Sequence, residues 1–189
     1  MKRIAVLGDI GSGKSYVAKN FGFPVFNADE KVGKLYKKNK KIYKKLNKIL
    51  PKYFNSFPIN KNNVIKAILG NKKNLNNIVK VVHFEIKKEM NIFLKINKNK
   101  KIVVLDIPLL VENKINRKKD ILIFINSKKS EILKRLKKRS NFNKKILKIF
   151  KDIQLPLDQK KRKSKYIINN NFTKKSVKKQ IKLILNKIL

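Results

Sequence analysis

One short stretch near the start of the chain places three glycines beside a lysine and a serine, directly behind an apolar run. Residues 8–15 read GDIGSGKS and fit the pattern G-x-x-x-x-G-K-[ST] at every fixed position. In that pattern the glycines let backbone amides curl around phosphate, the lysine reaches the β- and γ-phosphates, and the hydroxyl ligates Mg²⁺. The sequence therefore predicts an ATP-binding loop made of Gly8, Gly11, Ser12, Gly13, Lys14 and Ser15.

Carboxylates are scarce, with 11 Asp and Glu residues in the chain, so those at predicted strand ends stand out. Asp106 closes the run KIVVLD, where it could organise a metal ion and its waters. Its alternative role is a strand-end turn residue or a helix cap. Asp29 follows the run PVFN and could accept a proton from an acceptor hydroxyl, or cap a helix over residues 30–36. The residues alone leave both alternatives open.

Short apolar runs must form the strands that position these groups. They lie at residues 3–7, 24–27, 101–106, 120–126 and 166–169, and helical patterns separate them. This alternation predicts an α/β fold with a parallel sheet of about five strands. Together with the phosphate loop behind the first strand, it predicts the three-layer P-loop fold. A helix is expected over residues 74–94, with breaks near Pro51, Pro58 and Gly70. Residues 128–163 are also helical in pattern, with a loop near residues 140–143.

The long gap between the second and third predicted strands indicates an addition to the sheet, because about 65 residues exceed a simple crossover. We expect a single P-loop kinase domain over residues 1–189, with its core at 1–29, 100–134 and 161–189. A helical insertion is expected at about 30–99.

The composition is unusually basic. Formal net charge is +40, and only five of the 51 basic residues are arginine. Lysine, asparagine and isoleucine share A/T-rich codons, so nucleotide bias in the genome is one explanation of the charge. The alternative is a positively charged surface that binds a polyanion such as nucleic acid. We expect non-specific nucleic-acid binding at low salt and no specific nucleic-acid partner.

The chain contains no cysteine, which excludes disulfides, thiol catalysis and cysteine-ligated metals. No signal peptide or membrane-spanning run is evident, so the expectation is a cytoplasmic protein that does not engage membranes. We also expect a monomer.

Further motifs follow the phosphate loop in an order and spacing that resemble dephospho-CoA kinases. Those motifs are FPVFNADE, VVHFEI, VLDIPLLVE, KRLKKRS and QLPLDQKKRKSKYIINN. The segment DIPLLVE is the most diagnostic, because it is not a general feature of P-loop proteins. The resemblance covers nearly the whole chain and implies transfer of the γ-phosphate of ATP to the ribose 3′-hydroxyl of dephospho-CoA, with Mg²⁺ as cofactor.

The resemblance also implies residue roles. Asp29 would be the base, and Lys14 and Arg139 would neutralise transferring charge with help from Arg135. Asn170 would lie near the adenine, and Tyr16 would join the residues that bind the ATP phosphates. The insertion at about 30–99 would bind the acceptor, and a lid at about 135–160 would close over the phosphates. Ser15 would hold Mg²⁺, with Asp106 acting on the metal through water. The acceptor side would be lined by His83, Asp106, Pro108, Leu109, Leu110 and Glu112.

Several positions depart from the family pattern. Asn27 stands where the family has an acid, and an amide cannot serve as a base. The other departures are Asp9, Tyr16, Phe84, Val111, Lys165 and Asn169. Two other functions stay open at this point: another P-loop kinase of nucleotides or small molecules, and an ATPase that binds nucleic acid.

Overall fold

Five short apolar segments form one parallel sheet in the computed structural model of the chain, which describes residues 1–139 and 142–189. The order across the sheet is β2-β3-β1-β4-β5, and every neighbouring pair runs parallel. All five predicted strands are confirmed, because buried parallel strands have continuous apolar sequences. Their bounds are β1 (Lys2–Gly8), β2 (Val25–Asn27), β3 (Ile102–Asp106), β4 (Ile121–Asn126) and β5 (Tyr166–Asn169).

Helices occupy most of the remaining described residues. The helix predicted over residues 74–94 is confirmed as α5, and the chain between α3 and α4 contains Pro51 and Pro58, as expected. The loop predicted near residues 140–143 includes residues 140 and 141, which lie outside the described residues. The bounds are α1 (Lys14–Asn20), α2 (Ala28–Lys38), α3 (Lys40–Ile49), α4 (Lys61–Gly70), α5 (Lys73–Ile96), α6 (Lys129–Lys137), α7 (Lys144–Asp152), α8 (Leu157–Lys163) and α9 (Lys174–Ile188).

The chain divides into two compact units. The core unit comprises Met1–Asn27, Ile96–Phe142 and Lys151–Leu189, and it contains the whole sheet. The helical unit comprises Ala28–Lys95 and Asn143–Phe150.

Both faces of the sheet are covered within the core unit, which gives three layers. On one face, strand residues such as Ile4 and Val104 pack with residues of α1 and α9 such as Val17 and Ile181. On the other face, α8 packs against β1 and β4. The sheet is therefore buried on both sides, as parallel sheets are.

All five strands end at the same edge of the sheet because they are parallel. Asn27 pairs in register with Asp106, and Gly8 pairs with Ile125. The strand β1 lies between β3 and β4. Ligands of open α/β sheets bind beyond the carboxyl ends of the strands, at the point where the strand order reverses. This edge is therefore the place to look for a site.

Amphipathic helices build the helical unit. Along α5 the buried residues recur at helical spacing, as Ile78, Val82, Ile86 and Met90. The Asn39 side chain begins α3 by accepting a hydrogen bond from the Ile42 amide at 3.0 Å. Among the described residues, every helix is too short or too polar to cross a membrane.

Candidate active site

The loop that follows β1 curls tightly into α1. Gly13 has φ of +86°, a left-handed conformation that side chains rarely adopt, and it caps α1. A Cβ at Gly13 would collide with the Asn170 side-chain amide. A Cβ at Gly8 would lie 2.7 Å from the Ile125 carbonyl oxygen. Both glycines are therefore required by close approach as well as by the curl of the loop.

The Lys14 side chain folds back over this loop. Its ammonium donates to the Asp9 carbonyl oxygen at 2.8 Å and to the Gly8 carbonyl oxygen at 3.3 Å. The positive charge therefore lies on the loop itself, where a lysine can reach the β- and γ-phosphates of a bound nucleotide. Ser15 and Tyr16 follow in the first turn of α1 and both are exposed.

The Ser12 carbonyl oxygen anchors the loop to two other strand ends. It accepts one hydrogen bond from the Asn170 side-chain amide at 2.8 Å and a second from the Ser127 hydroxyl at 2.9 Å. Asn170 is buried, and its backbone amide donates to the Asn126 carbonyl oxygen at 2.7 Å. The sequence reading missed Ser127, although it comes directly after Asn126 closes β4, at the same edge of the sheet.

A buried polar pair joins the ends of β2 and β3. The Asn27 side-chain amide donates to Asp106 Oδ2 at 2.7 Å. Asn27 is 9% exposed and Asp106 4% exposed. An amide at position 27 therefore holds the Asp106 carboxylate without placing a second negative charge beside it.

Comparisons with known proteins agree with this geometry. The family model described as dephospho-CoA kinase matches residues 3–176. A curated dephospho-CoA kinase from Wolbachia sp. subsp. Brugia malayi (strain TRS) is 34% identical and covers 98% of this chain, which covers 97% of it. The chain belongs to the dephospho-CoA kinase family. It is accordingly a phosphotransferase of the P-loop kinase fold.

Solved structures share the fold. A Thermus thermophilus protein titled TT1252 has a TM-score of 0.77 and 21% identity, and the similarity covers 100% of this chain and 98% of that one. Dephospho-CoA kinase from Campylobacter jejuni has a TM-score of 0.64 and 21% identity, with 99% of this chain and 97% of that one covered. The predicted fold class is therefore confirmed.

The segment after β3, which carries the most diagnostic family motif, forms a compact turn. Leu109 has φ of +55°, a strained conformation for a branched side chain. Its carbonyl oxygen accepts a hydrogen bond from the Asn113 amide at 3.0 Å. Pro108 is exposed, whereas Leu110 is buried with 1% exposure. Pro108 is thus the most accessible of the three predicted acceptor residues in this turn.

Glu112, also predicted on the acceptor side, lies in a buried ion pair. Its Oε1 atom is 2.6 Å from the Lys160 ammonium, and it accepts a hydrogen bond from the Leu155 amide at 3.1 Å. The Lys160 ammonium also donates to Gln154 Oε1 at 3.1 Å. Sequence reasoning missed Lys160, because a single buried lysine is indistinguishable in sequence from the many solvated ones.

The arginines predicted to close over the phosphates lie at the end of α6. Arg139 is exposed, and its backbone amide donates to the Leu136 carbonyl oxygen at 3.1 Å. The Arg135 guanidinium stacks on the Phe172 ring at 4.2 Å from the ring centre. Phe172 lies in the loop after β5, two residues beyond Asn170. This stacking connects α6 to the loop that anchors Ser12.

Two predicted residues belong to the helical unit. Asp29 is exposed in the first turn of α2, which begins at Ala28. The alternative role of Asp29 as an N-cap is therefore wrong, because the helix starts one residue before it. His83 is half-buried on α5, beside the 55% exposed Phe84, whose ring lies 4.4 Å from the Lys88 ammonium.

Proposed function

We propose that the chain transfers the γ-phosphate of ATP to the ribose 3′-hydroxyl of dephospho-CoA. The observation that carries this proposal is the anchored phosphate loop after β1, next to the strand β3 that ends in the buried carboxylate of Asp106, in a member of the dephospho-CoA kinase family. Lys14 and the backbone amides of the loop would bind the phosphates of ATP. Two hydrogen bonds to the Ser12 carbonyl oxygen hold this part of the loop in place.

The oxygen donors at this edge of the sheet fit Mg²⁺. Ser15 offers a hydroxyl and Asp106 a carboxylate, and both are hard ligands of the kind that magnesium prefers. No group of three or more His, Asp or Glu side chains able to hold a metal occurs within residues 1–139 and 142–189. Magnesium in kinases takes most of its other ligands from water and phosphate. When bound, the ion would neutralise charge on the phosphates.

We assign the base to Asp29. Its carboxylate would take the proton of the ribose 3′-hydroxyl while that oxygen forms a bond to the γ-phosphorus, the bond to the β-phosphate oxygen breaks, and ADP leaves. The position of Asp29, exposed and two residues after the end of β2, supports this assignment. Asn27 cannot replace it, because an amide is not a base; the Asn27 amide nitrogen instead donates to Asp106.

The acceptor would contact His83, Asp106, Pro108, Leu109 and Leu110, as the family resemblance implies. For Glu112 we propose an indirect part in this side of the site, since Lys160 and Leu155 already bind its Oε1 atom. Arg139, assisted by Arg135, would stabilise the transferring charge. Closure of the predicted lid, residues 135–160, would exclude water and suppress hydrolysis of ATP. For Asn170 we propose adenine contact in addition to its bond to Ser12.

We propose that the protein acts as a cytoplasmic monomer with small-molecule substrates. Lysines are spread through every segment of the chain, and this distribution supports a diffuse positive charge rather than a dedicated nucleic-acid surface. Sedimentation of the purified protein would check the oligomeric state.

ADP release with Mg·ATP at moderate salt tests the proposed function. Release that requires dephospho-CoA and yields a product one phosphate heavier would support it. Release driven by AMP would indicate a nucleotide kinase, and release driven by RNA would indicate a nucleic-acid ATPase.

Asp29→Asn tests the base, with Glu30→Gln as a matched control in the same turn of α2. We expect Asp29→Asn to lower kcat by about 100-fold or more, because general bases contribute that much, while ATP affinity is retained. Near-normal turnover of Asp29→Asn would contradict the assignment.

A further inference from the structure

Asp9 is an anomaly in a loop that binds phosphates, because its carboxylate adds negative charge where negative charge must be received. Its Oδ1 atom accepts a hydrogen bond from the Ile10 amide at 2.7 Å, and its side chain is 12% exposed. A carboxylate here repels the phosphates of a nucleotide unless a cation offsets it.

The structure supplies such a cation from a distant part of the sequence. The Lys151 ammonium lies 3.9 Å from Asp9 Oδ2, and both residues belong to the core unit. The Lys14 ammonium contacts the main-chain oxygen of the same residue, at 2.8 Å. Asp9 is therefore within reach of two ammonium groups, one of which belongs to the lysine that reaches the nucleotide phosphates.

The backbone that carries Lys151 is fixed close to this point. The Lys151 carbonyl oxygen accepts a hydrogen bond from the Gln154 amide at 3.1 Å. The Gln154 side chain is bound by the buried Lys160 ammonium, and the next amide, that of Leu155, donates to Glu112. The approach of Lys151 to Asp9 is thus set by a buried network three residues away.

A cleft of about 350 Å³ lies beside this pair and gives the Lys151 side chain room to move. Lys151 and Asp9 line it together with Lys129 of α6 and apolar residues of α6 and of the chain after α7. The Lys151 side chain is 46% exposed, so its ammonium can follow charge that enters beside the loop.

We propose that Lys151 is the cation that offsets Asp9, and that Asp9 and Lys151 together set the affinity of the phosphate loop for ATP. Asp9 holds the ammonium at the loop, and the ammonium cancels the repulsion between Asp9 and the terminal phosphates. Lys151 is then a positioning residue that acts through Asp9. This inference rests on the nucleotide site of the proposed function, but it concerns ATP affinity and not transfer.

The test is a double-mutant cycle on ATP affinity, measured by titration calorimetry with Mg·ATP at low salt. Lys151→Met should weaken binding about tenfold, because it leaves Asp9 uncompensated beside the phosphates. Asp9→Asn keeps the acceptor for the Ile10 amide and should tighten binding about threefold. In the Asp9→Asn background, Lys151→Met should cost less than about threefold, which is the rescue that distinguishes a charge pair from a packing role.

Lys148→Met, an exposed lysine one turn earlier on α7, is the matched control and should leave ATP affinity unchanged. Because Lys151 is partly exposed, raising the salt to about 0.5 M should shrink the Lys151→Met effect. Thermal melting of each variant identifies loss of fold.

A Lys151→Met variant with wild-type affinity would overturn the proposal, and so would an equal loss in both backgrounds. Binding of ATP by the wild type without turnover on dephospho-CoA would count against the proposed function alone. Failure of the wild type to bind ATP would overturn both.

Discussion

The buried ion pair between Glu112 and Lys160 permits a quantitative prediction. The Glu112 and Lys160 side chains are only 9% and 4% exposed, and the ammonium lies 2.6 Å from Oε1. Glu112→Gln keeps an acceptor oxygen for the Leu155 amide but leaves a buried ammonium with neutral partners. Breaking a buried pair in this way costs about 3–5 kcal/mol of unfolding free energy. For a chain of this size the melting temperature should fall by about 6–20 °C.

Urea unfolding followed by circular dichroism measures this loss. The double variant Glu112→Gln with Lys160→Met removes both charges, and we expect it to lie within about 1.5 kcal/mol of the wild type. Lys161→Met on the exposed side of α8 is the control, with an expected change below about 0.5 kcal/mol. The reasoning fails if Glu112→Gln costs less than about 1 kcal/mol, or if the double variant is less stable than that single one.

Three further perturbations test other parts of the fold. Gly13→Ala should lower the free energy of unfolding by at least about 2 kcal/mol, because the new methyl group collides with Asn170. The variant should also lose the stabilisation by Mg·ATP in a thermal-shift assay. An ATP-induced shift equal to that of the wild type would contradict this prediction. Asn27→Asp places a second carboxyl group beside Asp106 and raises the pKa of one of the two carboxyl groups. Ionising that group costs more in the folded state, so the stability of the variant relative to the wild type should fall as pH rises from about 4 to 8. A stability difference that does not change with pH would argue against the contact between residues 27 and 106. Burial raises the pKa of Tyr36 to about 12 from 10.0, so the unfolded chain ionises first and the free energy of unfolding falls by up to about 3 kcal/mol between pH 10 and 12. Tyr36→Phe should remove that part of the alkaline loss measured by urea unfolding, and an unchanged slope would refute the assignment.

Local patterns in the sequence were enough to predict the sheet and the phosphate loop. The strands β1, β3 and β4 are runs of apolar residues because both faces of the sheet are covered. The loop follows from the glycine spacing, since Gly13 needs a left-handed φ and has no room for a side chain.

The contacts that hold the site in place depend on register and packing, which single-sequence patterns do not contain. Asn27 meets Asp106 because β2 and β3 pair in one register across 79 residues. Asn170 reaches Ser12 from 158 residues away, and it does so only once β5 lies beside β4. The N-cap role of Asp29 was a reasonable alternative from composition, but α2 begins earlier than its polar residues suggest.

The bond between Ser12 and Asn170 has a consequence for synthesis of the chain. The phosphate loop lies near the start of the sequence, yet one of its two anchors, Asn170, directly follows β5, the last of the five strands to be made. The strand before the loop, β1, likewise pairs with β3 and β4, which are made about a hundred residues later. A nascent chain that has not yet exposed Asn170 therefore has a phosphate loop without its fixed shape. Nucleotide can assist folding only after translation of this segment, and pairings this far apart in sequence form slowly.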